Sequence, residues 1–264
     1  MKHLRALLLV LFAASAMVVT AGSASASPAP TSTSCSSGNI ASGSYASLSI
    51  TGNCTIPDGA VVTVARQVTL ARGATLNAMT ASTVHISGNI LVVPGATLSL
   101  GCSFELTQPP FPGGPVFCPA GVSHDQVDGN IVATGAKTLK VNGIMLNGNL
   151  VSVGGGVAVT GPDASTCEQH PAPLNFPIKD NTINGNVMIA GWQGCWLGYI
   201  RNVQNGNAII LGNHTGDADS TEIVTNTIHG NLICRANTPV PQIGDSHGEV
   251  NTVSGHKLGQ CAAL

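Results

Sequence analysis

Asn181-Thr-Ile-Asn-Gly-Asn186, Asn202-Val-Gln-Asn-Gly-Asn207, Asn226-Thr-Ile-His-Gly-Asn231 and Asn251-Thr-Val-Ser-Gly-His256 are one phrase written four times. Successive copies start 21, 24 and 25 residues apart. Weaker copies end in Gly88-Asn89, Gly129-Asn130 and Gly148-Asn149. A recurrent period of this size marks a stacked repeat, in which each unit buries its apolar face against the next.

Offsets from the glycine show what is stacked. Two places before it stand Ile86, Val127, Leu146, Ile183, Ile228 and Val253, with Gln204 the exception. Two places after it stand Ile90, Ile131, Leu150, Val187, Ala208 and Leu232. Apolar residues at even offsets put one face of a strand inward. Each Val or Ile so buried is worth about 1.5–3 kcal/mol. Asparagines recur one place after the glycine and four places before it. Turn-forming Asn, tolerant of left-handed geometry, accounts for both columns; stacked Asn could also bond as a ladder.

Upstream, Pro57-Asp-Gly-Ala60, Ala71-Arg-Gly-Ala74 and Val93-Pro-Gly-Ala96 share a second phrase between alternating Val, Thr and Leu. Gly59, Gly73 and Gly95 sit where a corner must turn, and glycine takes positive φ without steric cost. Two stretches break the pattern: a proline-rich one near 101–123 and a glycine- and proline-rich one near 154–177. Proline donates no ladder hydrogen bond, so both read as loop excursions.

Residues 1–26 carry Lys2 and Arg5, an apolar run from Ala6 to Val19, and Ala24-Ser25-Ala26. This is the layout of a secretory signal. The run is too short to span a bilayer comfortably, so export without a membrane anchor is the expectation. Residues 27–54 then read as leader and N-terminal cap, and 55–264 as the repeat domain. Losing Lys2 and Arg5 leaves 8 basic and 12 acidic residues, a net −4. No basic stripe for a nucleic acid exists. Charged residues are 8% of the chain, against about 25% in an average domain; surface helices need charges, so little helix is expected.

Eight cysteines form an even set without a C-x-x-C pair. Export favours disulfides. Pairing neighbours in order gives Cys35–Cys54, Cys102–Cys118, Cys167–Cys195 and Cys234–Cys261. The last two pairs span close to one repeat, and rungs about 4.8 Å apart suit a disulfide.

Coils of this length fit three short strands and three turns. They resemble the right-handed parallel β-helix of the pectin-lyase-like architecture. More narrowly, Asn226–Pro239 and Asn251–Cys261 resemble the C-terminal signature of secreted actinobacterial repeat proteins, a group without an established activity. That resemblance implies fold and export, not a reaction. A left-handed hexapeptide helix would need a six-residue period, which is missing. The fold class expected is all-β, a single-chain right-handed parallel β-helix with two irregular loop excursions.

Enzymes of this architecture use clustered carboxylates with an Arg or Lys. The candidates are Asp180, Arg201, Asp217, Asp219 and Arg235. Asp180 and Arg201 share an offset and should stack as an exposed ion pair. Asp217 and Asp219 lie in a polar turn with too few oxygens for calcium. The histidines fall at no ligand spacing, so no metal or cofactor is expected. Trp192, Trp196 and Tyr199 concentrate aromatic rings in a chain that is 3% aromatic. They suit either sugar stacking or packing around Cys195. Thr182, Thr227 and Thr252 approach an ice-binding column, broken by Val203. The leading expectation is a non-catalytic β-helix outside the cell with a structural, adhesive or glycan-contacting role, its partner a cell-wall or environmental polysaccharide. A divergent polysaccharide lyase or glycoside hydrolase is the alternative. If the five charged candidates share one groove the enzyme gains weight; if they scatter, the binding or structural role does.

Overall fold

The computed structural model describes residues 29–110, 112–159, 167, 174–216, 219–244 and 248–264. The expected signal segment, Asp217, His170 and His247 lie outside them. The chain forms a parallel β-helix with three walls. The first wall stacks Val61–Val64, Thr83–Ile86, Gln126–Val127, Met145–Leu146, Thr182–Ile183, Val203–Gln204, Thr227–Ile228 and Thr252–Val253. The second stacks Val68–Leu70, Ile90–Val92, Ile131–Thr134, Leu150–Val153, Val187–Ala190, Ala208–Leu211, Leu232–Arg235 and Lys257–Gly259. The third stacks Thr75–Ala78, Thr97–Leu100, Thr138–Asn142, Asn175–Lys179, Trp196–Ile200 and Thr221–Val224. Every one of these pairings is parallel.

The strand Gly43–Thr55 runs round all three walls. Its Gly43 registers with Val62, its Leu48 with Val68 and its Asn53 with Thr75. Thr31–Asn39 lies on top of it in parallel. The 24 strands therefore form one hydrogen-bonded network. The stretch expected as leader and cap thus supplies two long strands of the stack, Thr31–Asn39 and Gly43–Thr55.

The apolar columns meet inside. Ile183, Gln204, Ile228 and Val253 are in direct register, and the first three are fully buried. Gln204 is tolerated because its polar atoms are satisfied: Oε1 accepts the Tyr199 hydroxyl, and Nε2 donates to the Asn207 carbonyl at 2.7 Å. All four disulfides are the expected neighbour pairs, with Cα separations of 5.1–6.3 Å.

Two kinds of glycine turn the corners, for different reasons. Gly59, Gly73 and Gly95 have φ of +72°, +71° and +77°. The glycines of the Asn-containing phrase do not. A Cβ on Gly185 would lie 2.4 Å from the Gly148 carbonyl oxygen, and one on Gly206 2.5 Å from that of Gly185. Here glycine is required because consecutive coils touch backbone to backbone.

The asparagines correct the turn-former reading. Among the described residues the non-glycine ones with positive φ are Asp180, Arg201, Thr225 and Ala236, and no Asn is among them. Both Asn columns are ladders. Asn202 is typical of the buried one: its N–H and Nδ2 donate to Asn226 Oδ1 at 2.9 and 3.0 Å, and Nδ2 also donates to the Ile178 carbonyl at 2.9 Å. Its own Oδ1 accepts from the N–H and Nδ2 of Asn181. Every polar atom of the amide is thereby paired, as burial demands. A third amide row, Asn213, Asn237 and Gln260, fills the corner between the second and third walls.

Candidate functional site on the third wall

Strand alternation decides which side chains of the third wall leave the core. Inward go Phe176, Ile178, Leu197, Tyr199 and Ile223, all fully buried. Between them Lys179, Trp196 and Glu222 fall on the other face of their strands. The three meet. Trp196 lies flat across Gly198, where a Cβ would come within 2.0 Å of its ring. Its Nε1 donates to Glu222 Oε1 at 2.9 Å, and Lys179 Nζ stands 4.6 Å from the ring centroid. That is a cation–π distance.

Charge gathers round this core. Burial is the main influence lowering the Lys179 pKa, and Arg201 lowers it further; Glu222, Asp180 and Glu105 act in the opposite direction. Glu105 belongs to the short 3-10 helix Phe104–Thr107 of the first excursion, so that loop brings an acidic group to the wall. Asp180 and Arg201, both in left-handed conformation, leave the ends of adjacent third-wall strands. They pair in bidentate fashion, Nε to Oδ1 at 2.6 Å and Nη2 to Oδ2 at 3.1 Å. The pair was expected on exposed ground; its side chains are only 30% and 17% exposed. Lys140, also held below its ordinary pKa by burial, registers with Ser99 on the same wall.

Arg235 and Asp219 lie elsewhere. Arg235 ends a second-wall strand, is exposed, and precedes the opposite corner. Asp219 is an exposed residue just before the third wall, where its carbonyl accepts Gln242 Nε2. The aromatic trio separates too. Trp192 and Tyr199 are fully buried and offer no face to a sugar. Trp192 packs on Phe176 with centroids 5.1 Å apart and donates Nε1 to the Lys137 carbonyl. Only Trp196 is partly exposed. Cys195 packs in a separate small cluster with Val159, Cys167 and Leu174. On the first wall Thr182, Val203, Thr227 and Thr252 do align, with Val203 interrupting the threonines.

Sequence reasoning missed Lys179, Glu222 and Glu105. Lys179 adjoins Asp180, and with charged residues this scarce the doublet was a usable signal. Glu222 and Glu105 carried none, because a turn of unequal length hides the register of Glu222 with Gly198 beside Trp196, and Glu105 lies in the first excursion outside any strand.

A groove of about 370 Å³ flanks the corner, lined by His124, Asp125, Met145, Asp180 and others. Burial pushes the Asp125 carboxyl up to about 7, against smaller opposing effects of the Val84 N–H and Ser123. Among the described residues no three His, Cys, Asp or Glu side chains converge as metal ligands, and no helix is long and apolar enough to cross a membrane. Comparison with protein-family models, curated proteins and solved structures gives no match.

Proposed function

We propose that this is a non-catalytic, exported β-helix protein that contacts glycan through its third wall. The observation carrying this reading is the composite of Trp196, Lys179 and Glu222 beside the Asp180–Arg201 pair. An aromatic ring, two cations and carboxylates on a rigid flat wall match the amphipathic surface and hydroxyl groups of a polysaccharide. Rigid strands also keep the ordering cost of binding low. Asp180 and Arg201 satisfy each other, and Arg235 stands elsewhere, which favours binding over turnover. The four disulfides fit an oxidising compartment, and with the amino-terminal layout they support export. The right-handed, pectin-lyase-like reading and kinship with actinobacterial repeat proteins rest on the repeat phrases alone.

A lyase or hydrolase is the second reading. The feature favouring it is the depressed Lys179 ammonium between Asp180, Arg201 and Glu222, since a lowered lysine can serve as a base. One experiment separates the two: mature protein is incubated with plant and bacterial polysaccharides and read for binding and for unsaturated or reducing ends. Binding without new ends, lost in Trp196→Ala and Lys179→Ala variants of unchanged circular dichroism, is the expected result. New chain ends would overturn the non-catalytic reading; no binding to any polymer would overturn glycan contact.

A further inference from the structure

The second wall has an apolar outside. Its inward columns face the core, and between them a single outward column runs Leu91, Val132, Val151, Met188, Ile209 and Ile233, each in direct register with the next. All six are only partly buried. Thr69 extends the column at one end and Leu258 at the other. The neighbouring outward column contains Val153, 43% exposed, and Leu211. On its other flank lies the uncharged Asn row of the corner. Among the described residues Arg235 is the one formally charged side chain at these outward positions. The other two walls differ: the first carries the His85–Asp128 pair and the third the Lys179–Glu222 cluster.

A contiguous apolar face almost free of charge marks an interaction surface. We infer that this wall is the interface of a homodimer in which two copies pack second wall to second wall. Eight strands about 4.8 Å apart give a face about 38 Å long, and three outward positions per strand give a width of about 18 Å. Such a face offers about 700 Å² per copy, or about 1,400 Å² in all, within the range of stable protein interfaces. The surface is flat and its side chains repeat once per rung. A second copy supplies the same flatness and the same spacing, so the ridges of one fit between the ridges of the other at each coil, as in face-to-face sheet packing. Having almost no charge, the wall imposes no electrostatic penalty on meeting itself.

The test is the mass of the mature, disulfide-intact protein by sedimentation equilibrium from about 1 to 100 µM, compared with Met188→Lys and Ile209→Glu. Both positions point out of the core, and circular dichroism checks that each variant keeps the fold. A wild-type dimer that both variants convert to monomer, with association undiminished by salt, is the expected result. A wild-type monomer throughout the range overturns the inference. So does a dimer that neither variant weakens, which would place the contact on another wall. A monomer that adsorbs to an alkyl surface, with adsorption lost in both variants, would give the wall to a different apolar partner and overturn it as well.

Discussion

Replacing Asp125 by Asn should stabilise the protein at neutral pH and change little near pH 3. Asp125 stands four places before Gly129, in the column that later coils fill with Asn181, Asn202, Asn226 and Asn251. Its Oδ1 behaves like theirs, accepting the Val84 N–H at 2.8 Å. Its Oδ2 is buried with no hydrogen bond of normal geometry, and Ser123 beside the carboxyl eases its charge only slightly. In the next ladder coil the equivalent atom is an amide nitrogen, Asn181 Nδ2, donating to the Val141 carbonyl at 2.9 Å. Later coils place a donor at this point of the column, whereas a carboxylate offers only lone pairs. The side chain, 4% exposed, is accordingly pushed from 3.8 to about 7.

The sign follows from linkage. The folded pKa is raised, so the favourable state is the protonated one. Its contribution is complete below 3.8, declines as pH rises, and is gone above about 7. A shift of about 3 units at 1.36 kcal/mol each makes the loss about 4 kcal/mol. Asn keeps the Oδ1 acceptor, adds the donor and does not titrate. Denaturant unfolding of wild type and Asp125→Asn across about pH 3–8 should give a difference near zero at the acid end and approaching 4 kcal/mol above pH 7. Taking the difference cancels the titration of carboxylates common to both proteins. A gain independent of pH, or a loss at pH 8, would refute the reasoning.

Three further perturbations follow from the same contacts. Gly185→Ala should cost about 3 kcal/mol by pressing a Cβ on the Gly148 carbonyl, whereas Gly73→Ala, with open space but φ of +71°, should cost about 1–2 kcal/mol; calorimetric Tm values that ranked them the other way would contradict the two glycine roles. Asn202→Ala takes the acceptor from the N–H of buried Asn181, leaves its Nδ2 with only the Val141 carbonyl and strips the Ile178 carbonyl of its side-chain donor, so about 2–3 kcal/mol should be lost, measurable by urea unfolding; a change under about 1 kcal/mol would show water filling the gap. The Cys234→Ser/Cys261→Ser double variant opens a link of sequence separation 27, for which chain entropy predicts about 3.5 kcal/mol; an unaltered denaturation midpoint would mean the last coil is held by its ladders alone.

The fold was legible because its signal is repeated. Ile183, Ile228 and Val253 share an offset, and that offset is the register observed. The last two disulfides were legible for the same reason, one coil being the distance a bridge must cross. Chemistry was less so. Alternation alone would have sent Trp196 outward and Tyr199 inward, but the sequence bunches them in one aromatic cluster. The ion pair was visible in the common offset of Asp180 and Arg201. The partnership of Trp196 with Glu222 was not, since the segment between them contains the variable turn through Gly216. Nor did the phrases announce the third amide row. Asn213 and Asn237 lie seven places past Gly206 and Gly230, beyond the window in which the motif is obvious.

The amide rows also have direction. At the corner between third and first walls the amide-to-amide bonds of Asn181, Asn202 and Asn226 run to the coil that follows, as do those of Asn213 and Asn237. At the Gly-Asn corner donation runs backward, Asn207 to Asn186 and Asn231 to Asn207. Backward too runs the outer row, Asn205 to Asn184 and Asn184 to Asn147. Aligned amide dipoles would otherwise sum along the axis as they do in an α-helix. In the coil of Asn202, Asn205, Asn207 and Asn213 two rows oppose two, so the amide polarity of that layer largely cancels and adds little to a charged pole at either tip.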